Sequence, residues 1–305
     1  MSQRPLIEVE EVSKTYTVKA FAYHYTVEAL RQVSFSVKEG EVLGIVGESG
    51  SGKSTLAKIL VRIVSPDAGS VVYADTITQF QRQVQMIFQN PYTSLNPLMN
   101  VRSALAEVIA VHRLCARREM PDRIQKALAQ VELPPDIQAR QPSELSGGQR
   151  QRVAIARSLL LEPRVLVCDE IVSGLDYPTG YTIIRLLLRL RAQQRMTILF
   201  ITHNIQLLSM LATRIAVFYK GYLVEIGPAD EVIRNPLHPY TVELIKAASY
   251  ATLGQASVRP QSPAIGSNGC PYASRCDYVH ERCRNPAALY QAEKGHWVRC
   301  YQKDR

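Results

Sequence analysis

The residues Gly47-Glu48-Ser49-Gly50-Ser51-Gly52-Lys53-Ser54 fit the spacing G-x-x-x-x-G-K-[ST]. Glycines so spaced let successive backbone N–H groups turn toward one point, and a following helix adds the positive end of its dipole. The expected occupant of such a cradle is a polyphosphate. Lys53 would reach the β- and γ-phosphates, and the Ser54 hydroxyl would complete the coordination of Mg²⁺, which takes few protein ligands and keeps most of its waters. Thr55 is expected to contact the nucleotide beside them. A second set is Val165-Leu166-Val167-Cys168-Asp169-Glu170, an apolar run ending in two acids. An acid at the carboxyl end of a parallel strand faces the crevice where ligands bind. Asp169 is therefore a candidate partner of Mg²⁺, and Glu170 a candidate base for an attacking water. A third set, Leu145-Ser146-Gly147-Gly148-Gln149, begins 24 residues before Asp169. Ser-Gly-Gly at a helix start is a good anion site, because backbone donors and the helix dipole converge there.

The surrounding pattern supplies elements to hold these groups. Residues 5 to 46 alternate as strands do and predict a small antiparallel sheet feeding one buried strand. From Ser54 the pattern turns helical, with Leu56, Ile59, Leu60 and Ile63 on one face until Ser65-Pro66-Asp67. The stretch from about Val101 to Leu133 reads as an inserted helical subdomain closed by Pro134-Pro135. Beyond it the spacing predicts a helix from about Gln149 to Leu161, a strand from Arg164 to Cys168, a helix from Thr179 to Gln194 and a strand from Thr197 to Thr202. Alternating helices and wholly apolar strands imply a parallel sheet covered on both faces. A hairpin turning at Lys220-Gly221 and a helix near Pro239 to Ala248 end the regular part, and residues 250 to 269, rich in Ser, Pro, Gly and Gln, read as a linker.

Over 305 residues, 46% apolar and 21% charged residues are ordinary globular values and exclude a disordered or fibrous chain. No run approaches the roughly 18 apolar residues a membrane span needs, and the first residues lack a secretory apolar core, so the chain is expected in the cytoplasm. The net charge of +9 is spread among 27 acids and reads as a solvated surface, not a nucleic-acid face. Four of six cysteines, Cys270, Cys276, Cys283 and Cys300, fall within the last 36 residues. In a reducing compartment such clustering points to metal before disulfides, and fours of thiolates hold zinc or iron–sulfur clusters. His280 and His296 are candidate substitutes for one cysteine in a zinc site.

Taken in order, these motifs resemble the ABC transporter ATPases over about residues 5 to 250, with Leu145 to Gln149 as the family's signature. The resemblance implies an α/β fold: a P-loop NTPase with a mixed core sheet, an antiparallel β-subdomain and a helical subdomain at about 90 to 160. It implies that the signature of one subunit, Ser146, Gly147, Gly148 and Gln149, serves ATP held by the phosphate loop of another. Gln89 matches the Q-loop glutamine that senses Mg²⁺ and water and faces the membrane subunit, and His203 matches the switch histidine that contacts the γ-phosphate and helps position Glu170. Asp176 matches the D-loop that joins the two sites, and Tyr16 is expected to stack on adenine, with Tyr23 and Tyr25 as rivals. Three residues depart from the family pattern: Ile171 replaces a proline, Gly174 an alanine and Asn204 an aspartate. Glycine there implies a looser D-loop. The segment between Gly69 and Gln85 is short for the family, implying a trimmed loop.

The run Asn235-Pro236-Leu237-His238-Pro239-Tyr240-Thr241, with Gly269-Cys270-Pro271 and the spaced cysteines, is similar to the carboxyl-terminal extension of oligopeptide, dipeptide and nickel importer ATPases. Some members carry a 4Fe-4S cluster there, which gives all four cysteines a ligand role, with zinc as the alternative. The resemblance thus divides the chain into an ATPase domain at 5 to 250, a linker at 251 to 269 and a Cys-rich extension at 270 to 305. It implies a peripheral subunit at the cytoplasmic face of the membrane, working with a paralogous second ATPase, two transmembrane permease subunits and an extracytoplasmic binding protein. Peptides lead as cargo, with nickel or a metal chelate second. A soluble ATPase acting on nucleic acid is the rival from another class, opposed by the Asn90-Pro91-Tyr92 loop and the importer-type tail.

Overall fold

The computed structural model describes residues 5–20, 23–90, 95–251 and 269–301. The loop at Pro91 and Tyr92, the Tyr23 side chain and most of the expected linker lie outside the described residues. The chain forms two compact units, one from residues 1–73 and 200–305 and the other from residues 74–199.

In the first unit, β1 (Ile7–Ala20) and β2 (Tyr23–Val37) pair antiparallel, as their alternation requires. The inward set Ile7, Val9, Val12, Val33 and Val37 is buried. The buried β3 (Val42–Val46) follows and leads through the glycine-rich loop into α1 (Lys53–Leu60). This helix stops earlier than its apolar pattern implied. Arg62 adopts φ +59°, Ile63 N–H bonds back to the Lys58 carbonyl, and the Ile63 side chain lies exposed beyond the helix end. A left-handed residue thus closes the helix where glycine is commoner, and the proline only follows. Strand β4 (Ala68–Tyr73), not anticipated from its mixed composition, pairs antiparallel with β1.

In the second unit, the short α2 (Phe80–Gln83) precedes β5 (Val84–Ile87), which runs parallel to β6 (Val165–Asp169). Between those strands lie α3 (Val101–Val111), α4 (Met120–Gln130) and α5 (Gly147–Leu159). The helical stretch expected over Val101 to Leu133 comprises two helices, parted where Arg113 takes φ +50° and a turn of 3₁₀ helix spans Arg117–Glu119. Asn100 caps α3 by accepting from Ser103 N–H at 2.9 Å. The long α6 (Tyr177–Gln194) follows.

β7 (Thr197–Thr202), buried along its length, carries the chain back to the first unit, and the short α7 (Ile205–Ser209) follows it. There β8 (Arg214–Tyr219) runs parallel to β3 and antiparallel to β9 (Tyr222–Pro228), so the sheet is mixed. The hairpin turns at Lys220 and Gly221, both at positive φ, the geometry that matches strand twist. Helices α8 (Ala229–Arg234) and α9 (Pro239–Ala251) come next. The Cys-rich extension adds a feature its composition did not announce: β10 (Tyr290–Glu293) and β11 (His296–Val298) form a hairpin whose β11 pairs with β9.

Candidate functional site

The loop from Gly47 to Thr55 is built by close backbone approach. A methyl group on Gly47 would lie 2.1 Å from the Phe218 carbonyl oxygen, and one on Gly52, at φ +100°, would lie 2.1 Å from that of Ala29. Only glycine fits either position, which is what draws the loop into a tight ring around the start of α1. Gly221 N–H donates to the Ser51 carbonyl at 3.1 Å, and Leu56 N–H to that of Gly52 at 2.9 Å, fixing loop and helix together. Lys53 is buried, and its ammonium donates to the carbonyls of Gly47 and Glu48 at 2.8 Å each and to Ser51 Oγ at 3.3 Å. The lysine head therefore sits over the ring, with α1 beginning at that residue and capped by no side chain. This is a donor-rich, positively charged concavity suited to phosphate oxygens. Ser49, Gly50, Ser54 and Thr55 complete the segment.

In the second unit, Asp169 ends β6 and is buried, while Glu170 follows in the left-handed region at φ +48°. That conformation, which a non-glycine residue adopts only when its surroundings impose it, is fixed by Ser173, whose N–H and hydroxyl both donate to the Glu170 carbonyl at 3.0 and 2.7 Å. Gln89 Nε2 donates to Glu170 Oε2 at 3.0 Å, so two residues expected to share a water are hydrogen-bonded to each other. Ser146 caps α5: its Oγ accepts from Gln149 N–H at 3.2 Å, and Gln149 Oε1 accepts from Ser146 N–H at 3.0 Å. A methyl on Gly148 would meet Thr179 Cγ2 at 2.6 Å, and one on Gly147 would meet Leu175 Cδ2 at 3.0 Å, so the signature helix packs against the segment after β6. Asp176 caps α6, accepting from Thr179 N–H at 3.1 Å, and the Thr179 hydrogen bonds hold its carboxyl below the usual carboxylate range.

The three departures have structural counterparts. Ile171 is buried. Gly174 sits at φ +81° with open space around its would-be methyl, so glycine here permits a left-handed turn instead of merely loosening the chain. Asn204 caps α7 by accepting from Leu207 N–H at 3.2 Å, a task aspartate performs equally. His203, just before it, is exposed and belongs to the first unit. Tyr16 lies on β1 opposite Val27, with the Lys14 ammonium 5.7 Å from its ring, and Tyr25 is exposed on β2.

The Cys-rich extension departs from expectation. Cys270, Cys276, Cys283 and Cys300 are free thiols that line one cavity of about 20 Å³ together with His280. A closed metal shell is not formed: among the described residues no three His, Cys, Asp or Glu side chains are placed to hold a metal ion. Burial favours the protonated form of two of these thiols, pushing Cys270 up to about 11 and Cys276 upward as well. His296 is no substitute ligand. It is buried away from that cavity, with Nε2 at 2.8 Å from Glu225 Oε1.

Residues 30–173 match the family model described as ABC transporter, and residues 224–283 match that of the oligopeptide/dipeptide transporter C-terminal region. A di/tripeptide transport ATP-binding protein of Pseudomonas aeruginosa is 37% identical, over 98% of this chain and 98% of its own length. This chain is an ABC transporter ATP-binding subunit of the oligopeptide/dipeptide family. A putative oligopeptide transport ATP-binding protein of Bacillus subtilis is 36% identical over 99% of this chain and 96% of its own. Among solved structures, a dimeric ATP-binding cassette in a post-hydrolysis state bound to ADP and Pi aligns at TM-score 0.63 and 29% identity, covering 73% of this chain and 98% of that one. The ABC subunit is an ATPase, ATP and Mg²⁺ are the cofactors expected of its family, and its fold is the expected α/β one. Among the described residues no helix is long and apolar enough to cross a membrane.

Sequence reasoning did not find Arg275, Tyr272 or Glu243, and gave Tyr240 no part at the phosphate loop, although these residues join the extension to it. No local signal could have done so, because the contact spans more than 220 residues of chain.

Proposed function

We propose that this ABC ATPase powers peptide import through a binding-protein-dependent transporter, at the cytoplasmic face of the membrane. The observation that carries this reading is the C-terminal-region match at residues 224–283, joined to near full-length similarity with ATP-binding proteins named for peptide transport. Two permease subunits, a binding protein and a paralogous second ATPase complete the assembly. The cassette occupies residues 5–250, its helical subdomain about 90–160, and residues 270–305 are an appended lobe.

The residue roles follow the chemistry of the groups. Gly47 to Thr55 cradle the phosphates, with the Lys53 ammonium exchanging its carbonyl partners for phosphate oxygens. Ser54, Gln89 and Asp169 offer only oxygen donors, the set Mg²⁺ prefers, and the ion supplies charge neutralisation when bound. Glu170 accepts the proton of the attacking water, with Gln89 and His203 orienting it. Ser146 to Gln149 act on the partner's nucleotide, Asp176 links the two halves and Tyr16 stacks on adenine. Cys270, Cys276, Cys283 and Cys300 ligate a 4Fe-4S cluster or zinc in a lobe that opens to receive it. Their shared cavity supports that reading.

The experiment is reconstitution with the co-purifying permease subunits and identification of the ligand carried by the binding protein. Peptide-stimulated ATP hydrolysis is the expected result. A nickel chelate as the bound ligand, or DNA-stimulated hydrolysis without permease, would overturn it. Iron analysis of anaerobically purified protein tests the tail separately, and one equivalent of zinc without iron would sink the cluster.

A further inference from the structure

Arg275 lies in the Cys-rich extension, between Cys270 and Cys276, yet its guanidinium reaches the phosphate loop. Nη1 stands 2.9 Å from Glu48 Oε1, and Nη2 pairs with Glu243 of α9. The Tyr272 hydroxyl donates to the same Glu243, and Glu48 N–H donates to the Tyr240 hydroxyl at 3.0 Å. Beneath this network the Tyr219, Tyr240 and Tyr272 rings pack with centroids 4.5 to 5.6 Å apart, and the guanidinium stands 5.7 Å from the Tyr272 centroid. Arg275 is thus held in a fork between two carboxylates over an aromatic floor, a geometry that the planar guanidinium suits and a lysine does not.

Glu48 is the second residue of the loop that carries Lys53. A carboxylate on a loop that must receive a triphosphate opposes binding unless it is neutralised or turned aside, because like charges a few ångström apart repel. We propose that Arg275 is a positioning residue for ATP binding: it neutralises Glu48 and holds its carboxylate on the extension's side of the loop. Tyr240 fixes the backbone of the same residue. The extension thereby acts on the nucleotide site through one ion pair, whatever its cysteines bind. The inference rests on the reading of Gly47 to Thr55 as the phosphate cradle.

The test measures ATP affinity of the full chain by titration calorimetry with Mg²⁺ present. Arg275→Met should weaken ATP about three- to tenfold, the range for partly exposed pairs acting as a network. The decisive variant is Arg275→Met combined with Glu48→Gln. Removing the stranded carboxylate should restore affinity to within about twofold of wild type, since coupled residues are non-additive. The loss in Arg275→Met should also shrink as salt is raised. Unchanged affinity in Arg275→Met would overturn the proposal. So would a loss that Glu48→Gln fails to suppress, because that pattern marks mere anchoring of the extension. Should Arg275→Met not fold, Arg275→Lys serves: one ammonium cannot satisfy both carboxylates, so a smaller loss, again suppressed by Glu48→Gln, is expected, and no suppression refutes the idea. Lys53→Ala separates the two readings: lost ATP binding upholds the cradle and leaves the Arg275 and Glu48 variants to decide the proposal, whereas binding that survives it intact overturns the cradle and with it the role of Arg275.

Discussion

Glu225 of β9 is fully buried; it accepts hydrogen bonds from Leu237 N–H at 2.9 Å and His238 N–H at 2.8 Å and pairs with His296 Nε2 at 2.8 Å. Glu225→Ala strands all three partners in a site closed to water. Each unsatisfied buried donor costs about 1–3 kcal/mol, so with partial relaxation the loss should be about 3–5 kcal/mol. Against a domain stability of about 5–15 kcal/mol this is a large fraction. With a urea dependence of about 2–3 kcal/mol per molar, the midpoint should fall by about 1–2.5 M. The assay is built into the chain: Trp297 is its single tryptophan, sits beside His296 on β11 and pairs with Ile226 of β9. Its emission should shift in the variant even before urea is added, as β11 leaves β9. A loss below about 1 kcal/mol with unchanged emission would refute the view that this carboxyl anchors the extension.

Glu170→Gln should lower ATP turnover by about 10²- to 10⁴-fold, the usual contribution of a general base, and accumulate an ATP-filled dimer on size exclusion; unimpaired turnover would put the base elsewhere. Gly174→Ala, which restores the family's usual residue, meets no steric clash but imposes a left-handed conformation on alanine, so thermal unfolding should report a cost of about 1–2 kcal/mol. Gly52→Ala adds a backbone clash to the same strain and should cost more, with ATP binding lost in the calorimeter. Because burial raises Cys270 from 9.0 to about 11, the folded chain keeps that proton to higher pH than the unfolded chain does. The associated stability is complete below pH 9 and lost as pH rises toward 11, a window that metal-free protein should show in denaturation against pH.

What could be read in advance was local. Apolar runs ending in Asp169 and Thr202 gave their strands, and the Gly47 to Ser54 spacing gave a loop whose glycines prove sterically obligatory at Gly47 and Gly52. Ser146, Asp176 and Asn204 also cap helices, a role that their residue types favour at a helix start but that the motifs alone did not assign. Where the reading stopped short, the deciding contact was distant or conformational. The end of α1 depends on Arg62 entering the left-handed region, which no apolar pattern encodes. Strand β4 exists because β1 offers it a partner, although its own residues are half exposed. His296 looked like a spare ligand by composition, yet its partner is Glu225, 71 residues earlier. The bond between Gln89 and Glu170 was likewise invisible, although each residue was singled out alone.

The pairing of β11 with β9 has a consequence for the chain in solution. Without the extension, β9 would end its side of the sheet with the seven-residue run Tyr-Leu-Val-Glu-Ile-Gly-Pro, whose unpaired backbone groups would be a template for another chain's strand. The hairpin replaces it with β10, four residues long, carrying Gln291 and Glu293. Short and polar borders of this kind discourage edge-to-edge association. A chain truncated before the hairpin should therefore self-associate in proportion to its concentration, and light scattering of such a truncation would register the hairpin as a guard against aggregation as much as an appendage to the cassette.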